Sequence, residues 1–228
     1  FQPVYGGGDQ DGVVVKLFPD CKNLIFASYL GGSREDACFV LKLNPVNGDI
    51  YVAGATASNT DFPGNKAGSI QPAYAGGVCD AYIAIISNDG TLLRKTTFLG
   101  TAGFDAIYGI EFDKKGFPYV MGSTTGNWTT TANVGFINRG AKQLVGKLKP
   151  DLSDYVYSTT FGKAGPNPNI SPVAFLVDRC ENVYVSGWGG WLFASQDPYG
   201  LMGTSGMPVS PNALYKTTDG RDFYFIVI

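Results

Sequence analysis

The 228-residue chain contains no histidine. That absence removes His-based triads, His general bases and His-containing zinc sites from this segment. Cysteine is scarce. Cys21, Cys38, Cys79 and Cys180 show no CxxC spacing, which excludes a zinc ribbon and a thioredoxin-type motif. Long hydrophobic runs are missing too. No apolar stretch approaches the ~18–20 residues of a membrane-spanning helix, and those present, such as Val13–Val15 and Ile83–Ile86, have strand length. Only 16% of residues are charged, the net charge is −2, and Lys and Arg are scattered. With no basic stripe to neutralise phosphates, nucleic acid is a poor partner.

What is present is ample for a well-filled core: 44% apolar and 14% aromatic residues, enough for one large β domain or two small ones. Residue 1 is Phe rather than Met, no signal peptide is visible, and the first residue falls inside a repeated phrase. We therefore expect further sequence upstream and a longer parent polypeptide.

The repeated phrase is FQPVYGGGDQDGVVVKL at residue 1 and IQPAYAGGVCDAYIAII at residue 70, an offset of 69 residues. Extended without a gap, the comparison matches Gln2/Gln71, Pro3/Pro72, Tyr5/Tyr74, Gly7/Gly76, Gly8/Gly77, Asp11/Asp80, Asp20/Asp89, Leu24/Leu93, Leu30/Leu99 and Gly31/Gly100. Ordinary composition would give roughly two such matches by chance. A second landmark recurs around Tyr51-Val52-Ala53-Gly54, Tyr119-Val120-Met121-Gly122 and Tyr184-Val185-Ser186-Gly187. Periods of this length fix an architecture.

Within one period the pattern predicts four strands: A (Asp105–Phe112), B (Phe117–Ser123), C (Asp80–Ser87 in the preceding copy) and D (Leu92–Leu99). The A–B and C–D links carry turn chemistry in Asn47-Gly48, Lys115-Gly116 and Asn88-Asp89-Gly90, which makes hairpins. Strand C is continuously apolar and demands burial on both faces. Strand D carries Arg94-Lys95-Thr96-Thr97 and Ser158-Thr159-Thr160, polar residues expected on a guarded outer edge. Four-stranded antiparallel sheets repeated radially describe an all-β propeller. The segment would hold 13 strands in blade parts of roughly 1–32, 33–101, 102–163 and 164–228, about three blades of a larger ring. An open β-solenoid or a stack of sandwiches is the competing architecture.

The motifs Tyr29-Leu30-Gly31-Gly32, Asp36-Ala37, Gly48-Asp49-Ile50-Tyr51-Val52-Ala53-Gly54-Ala55-Thr56, Asp61-Phe62-Pro63, Ile70-Gln71 and Gly76-Gly77-Val78-Cys79-Asp80-Ala81-Tyr82 together resemble the SBBP β-propeller repeat. The third copy departs from it, with Phe161-Gly162-Lys163 and Pro166-Asn167-Pro168-Asn169 in place of the usual phrases. The resemblance implies a secreted or surface-attached bacterial protein, of the kind Bacteroidota export by the type IX system. It implies no single activity.

Recurring carboxylates are the first site candidates. Asp11, Asp80 and Asp222 open strand C, Asp36 and Asp105 open strand A, and Asp113 and Asp178 follow it. Repetition in every blade points to turn caps that accept backbone N–H groups. No cofactor is expected. Calcium would have to bind these loops without a Dx[DN]x[DN]G run. Trp188, Trp191, Phe193 and Tyr199, among glycines in a long B–C loop, are candidates for stacking on sugars or for a protein contact, with core packing as the competing role of Trp188. Asn127-Trp128-Thr129 and Asn169-Ile170-Ser171 match the glycosylation pattern only as loop sequences.

Cys21 and Cys180 fall in apparent turns, which tilts the reading towards an oxidising, extracellular setting. Neither is expected to pair within the segment. Cys38 and Cys79 are separated by two strand spacings, about 9–10 Å, and are expected to be free thiols. The expected function is a non-catalytic extracellular scaffold, adhesion or interaction module that meets protein chains or surface glycans. Competing readings are a subunit of a surface filament and a polysaccharide hydrolase or lyase using Asp or Tyr.

Overall fold

A computed structural model of the chain describes residues 1–189 and 203–228. Among these residues there are thirteen strands and no helix. A two-stranded sheet pairs β1 (Gly12–Leu17) with β2 (Leu24–Leu30). The second sheet runs β3 (Asp36–Leu43), β4 (Ile50–Thr56), β5 (Asp80–Ile86), β6 (Leu93–Leu99). The third runs β7 (Asp105–Phe112), β8 (Pro118–Thr124), β9 (Gln143–Leu148), β10 (Tyr155–Phe161). The fourth has β11 (Ser171–Val177), β12 (Val183–Trp188) and β13 (Phe223–Val227). Every pairing is antiparallel between consecutive strands, the meander expected from the short turn-rich links.

The recurring glycine of the Tyr-Val-x-Gly landmark has a steric cause. The first strand of each of the last three sheets shifts register at the same place: between Cys38 and Val40, Ile107 and Gly109, and Pro172 and Ala174. Such a bulge pushes one carbonyl towards the second strand. A Cβ on Gly54, Gly122 or Gly187 would collide with the carbonyl oxygen of Ala37, Ala106 or Ser171 respectively.

Apolar side chains stack the sheets on one another. Val14 and Leu30 of the first sheet join Ile50, Val52 and Tyr82 of the second. Tyr51, Ile83 and Leu99 of the second meet Ile107, Val120 and Leu144 of the third. Tyr119, Met121 and Phe161 of the third meet Val183, Val185 and Tyr224 of the fourth. Every residue of β4, β5, β8 and β9 is buried. The first strands of successive sheets touch, β7 against both β3 and β11, whereas β2, β6 and β10 have no comparable mutual contact. Close backbone approach between sheets is therefore concentrated at their first strands.

Two expectations need correction. The third strand is apolar in each copy, but only β5 and β9 are wholly buried; β1 and β13 alternate, with Val13, Val15, Phe223 and Phe225 exposed, because only one face of each meets a neighbouring sheet. The hydroxyls of the fourth strand do not guard an open rim. Thr96, Thr97, Ser158, Thr159 and Thr160 are buried. The loop between the second and third strands lies along that edge: Asn65 O accepts from Thr96 N at 2.9 Å, Gln71 O from Phe98 N at 3.0 Å, and Ser158 O from Thr131 N at 2.9 Å. The polar run satisfies a loop rather than repelling another chain.

Gly54→Ala and Gly122→Ala should each lower the free energy of unfolding by about 2–3 kcal/mol, because a backbone carbonyl must move. Gly135→Ala, where an added Cβ meets nothing within 4 Å, should be near neutral. Urea unfolding of the three variants checks this.

Candidate functional site

Each repeated aspartate carries backbone amides of its own loop. Asp11 Oδ2 accepts from Gly6 N at 2.6 Å, and Asp80 Oδ2 accepts from Ala75 N at 2.7 Å and from Gln71 Nε2 at 3.2 Å. Asp36 Oδ2 takes Gly32 N at 2.7 Å and the Ser58 hydroxyl at 2.8 Å, and Asp105 Oδ2 takes Thr101 N at 2.7 Å. Asp113 Oδ1 binds the amides of Lys115 and Phe117, Asp178 Oδ1 those of Cys180 and Asn182, and Asp222 Oδ2 that of Asp219. The 69-residue repeat extends to these contacts: Tyr5 OH donates to Gly8 O as Tyr74 OH does to Gly77 O.

Four of these carboxylates line the ends of neighbouring sheets. A Cβ on Gly31 would strike Asp11 and come within 2.8 Å of Asp36 Oδ2, so these two acids face one glycine from adjacent sheets. Asp36, Asp80 and Asp105 are essentially without solvent contact. Burial pushes Asp80 up to about 7, reinforced by the charge of Asp105 and opposed by the Ala75 and Gly76 amides. Burial also raises Asp36 and Asp105, against hydrogen bonds that favour their charged forms. In the third sheet Lys142 stands opposite Thr124, as Asp80 stands opposite Thr56, so the acid is replaced there by a cation that favours ionised Asp105.

A second cluster joins the third and fourth sheets. Lys147 Nζ lies 2.9 Å from Asp113 Oδ2 and 2.7 Å from Glu181 Oε2, and the Tyr119 hydroxyl donates to the same Glu181 oxygen at 2.8 Å. The ammonium also sits over the rings of Phe117 and Tyr119. All partners in this cluster are used by one another, so it ties sheets together. The sequence reading did not pick out Lys147 or Glu181, because their contact spans 34 residues.

Among the aromatic candidates, Trp188 ends β12 opposite Ser171 and Phe223 and is half-buried. Trp191, Phe193 and Tyr199 lie outside the described residues. Trp128, read only as part of a glycosylation pattern, instead donates from Nε1 to Ser158 Oγ at 2.9 Å and lines a recess of about 280 Å³ with Ile70, Leu99 and Tyr155. A longer recess runs beside β13. Two contiguous cavities of about 490 and 610 Å³ share Val209, Tyr215, Phe223 and Tyr224. Sequence reasoning missed this feature, which has no motif: it is a gap between a loop and a strand.

No family model and no curated protein matches the chain.

All four cysteines are free, Cys21 and Cys180 exposed and Cys79 buried. Cys38 Sγ lies 3.0 Å from Tyr82 OH, and burial pushes Cys38 and Cys79 up to about 11. That none of the four pairs with another agrees with the expectation from their places in the strands and turns. A thiol reagent at pH 8 should modify Cys21 and Cys180 in the folded protein and reach Cys38 and Cys79 only after denaturation; fast reaction of all four would contradict the burial.

Asp80 also makes stability depend on pH. Its pKa rises from 3.8 unfolded to about 7 folded, so its protonated form favours the folded state. That contribution is fully present below pH 4 and is lost as pH rises through 7, on the order of 2–4 kcal/mol across the window. Asp80→Asn keeps an acceptor for the Ala75 amide and should flatten the unfolding free energy between pH 4.5 and 8, as urea titrations at several pH values would reveal.

Proposed function

We propose that the chain is part of an SBBP-type β-propeller of four-stranded blades, serving as a non-catalytic extracellular scaffold or interaction module that binds other proteins or surface glycans. The carrying observation is where the sheets meet: first strands of the last three sheets touch while fourth strands make no comparable contact, as is expected of blades around an axis. Exposed apolar side chains on the end sheets, Val13 and Val15 in β1 and Val173 and Leu176 in β11, support further blades beyond the sheets described.

The non-catalytic reading is favoured by the use of the aspartates. Each repeated carboxylate is engaged with loop amides, a positioning role that leaves it poorly placed to exchange protons with a substrate. The module reading fits the loops, where variation between copies is concentrated.

Incubation with a panel of bacterial-surface and plant polysaccharides should give no new reducing ends or unsaturated products. Turnover abolished by Asp80→Asn or Asp105→Asn would overturn the reading in favour of a hydrolase or lyase. Small-angle X-ray scattering of the purified chain should fit a curved wedge; a flat stack of sheets would rule out the propeller.

A further inference from the structure

We propose that the third sheet forms an intramolecular isopeptide bond: the side-chain nitrogen of Lys147 condenses with the side-chain carboxyl of Asp113, and Glu181 of the neighbouring sheet moves the protons. This needs only the packing of two sheets, not a closed ring, and so goes beyond the reading above.

Three separate elements bring the side chains together. Asp113 follows β7, Lys147 stands in β9 opposite Tyr119 of β8, and Glu181 lies in the turn before β12. The Asp113 side chain is 3% exposed and that of Lys147 11%. Lys147 Nζ is 2.9 Å from Asp113 Oδ2, yet Oδ2 is buried and accepts no hydrogen bond, so the nitrogen is close without being aligned as a donor. Its hydrogen bond goes instead to Glu181 Oε2 at 2.7 Å. A nitrogen held against a carboxyl in this way has the proximity that makes an intramolecular condensation fast.

Among the described residues this set is peculiar to one junction. Asn44 closes the corresponding turn of the second sheet, its N donating to Asp49 O as Asp113 N does to Phe117 O. Ile85 and Val227 face Tyr51 and Tyr184 where Lys147 faces Tyr119. Gly48 and Gly116 take the left-handed position that Glu181 occupies with φ of 69°. A backbone conformation unfavourable to a side chain, kept where an amine and two acids converge, points to a use for that side chain.

Burial works against both charges of the pair. The Asp113 carboxyl is nevertheless held below its usual range by Lys147 and the Phe117 and Lys115 amides, and the Lys147 ammonium above its own by Asp113, Glu181 and Tyr119, so the resting pair is ionised. The condensation balances from that state. One ammonium proton passes through the Glu181 carboxylate to Asp113 Oδ2, leaving a neutral amine beside a neutral acid, the forms that desolvation favours. The Nζ lone pair then attacks Asp113 Cγ. Negative charge develops on Oδ1, which already accepts the Lys115 and Phe117 amides at 2.9 and 3.0 Å, an arrangement that stabilises an oxyanion. A second proton leaves Nζ by way of Glu181, Oδ2 departs with both protons as water, and Glu181 ends as the carboxylate it began. Asp113 and Glu181 both border a cleft of about 170 Å³ that gives this water a way out. The rings of Phe117 and Tyr119, with centroids 5.2 and 4.7 Å from Nζ, shield the nitrogen from bulk water.

The test is the mass of the intact 228-residue chain, denatured after incubation in the folded state at neutral pH. The mass should fall short of the sequence mass by one water, and digestion should release one branched peptide joining the segments of Asp113 and Lys147. Lys147→Arg keeps a cation beside both acids and should keep the full mass. Glu181→Gln retains an acceptor for the Tyr119 hydroxyl and should slow linkage at least ~100-fold with an unchanged circular dichroism spectrum. Three results would each overturn the proposal: wild-type protein at full mass after days of incubation, a lost water traced to a cyclic imide at Asp11, Asp89 or Asp219, each of which precedes a glycine, or the branched peptide forming at an equal rate in Glu181→Gln. A flat stack in the scattering experiment would sink the propeller reading and leave this link standing.

Discussion

The second and third strands of the two central sheets have no face left for water. With every residue of β4, β5, β8 and β9 buried, each sheet needs an apolar neighbour on both sides, and burial of each Ile, Val or Leu contributes about 1.5–3 kcal/mol. Serial stacking follows from this requirement. So do several close approaches: an added Cβ on Gly12 would run into Cys38 Sγ of the next sheet, and one on Gly109 would lie 2.7 Å from the Phe175 Cβ. Glycine at these places lets backbones approach where a side chain would force the sheets apart.

How much of this the sequence discloses depends on the range of the interaction. Strand positions were legible because alternation, continuous apolar runs and Asn-Gly or Asp-Gly turns are local signals; Asp105–Phe112 was located to the residue. The glycine of Tyr-Val-x-Gly was visible as a repeat, but its cause was not, because the offending carbonyl belongs to a different strand. The buried hydroxyls of β6 and β10 were misread for the same reason: what covers Thr97 is a loop whose contacting residue, Gln71, lies 26 residues earlier. The recess at β13 was invisible, since no residue type marks a gap.

The turn between the first and second strands shows how one copy departs from the repeat without breaking it. Gly48 and Gly116 occupy left-handed backbone there, with φ of 75° and 82°, and Glu181 occupies the corresponding turn with φ of 69°. A side chain in this region costs roughly 1–2 kcal/mol. Glu181 offsets that cost through its carboxylate, which reaches across to Lys147 and Tyr119 of the preceding sheet. Lys147 in turn lies against Asp113, so removing Glu181 would leave a still-paired ammonium, whereas removing Lys147 would leave two acids facing each other. The strained turn is thereby part of the fastening between sheets.

The loop over the fourth strand holds the outer edge of each filled sheet. In each filled sheet the fourth strand is held on both edges, by the ladder from the third strand and by backbone groups of the preceding loop. Both walls come from residues earlier in the chain than the strand they hold, and the first sheet follows the same order, with Gln2 and β1 preceding β2. In each of these three sheets the fourth strand is therefore added against chain that precedes it. Two buried positions recur in that strand: a hydroxyl that finds a loop partner and an apolar residue that fills the end of the core. Losing the hydroxyl of Ser28 or Thr97 would leave the Gln2 or Gln71 amide without that partner, and losing that of Thr159 would leave the Phe136 carbonyl without its donor, a cost of about 1–3 kcal/mol each, so the fourth strand is fixed by what its absence would leave unsatisfied as much as by its ladder.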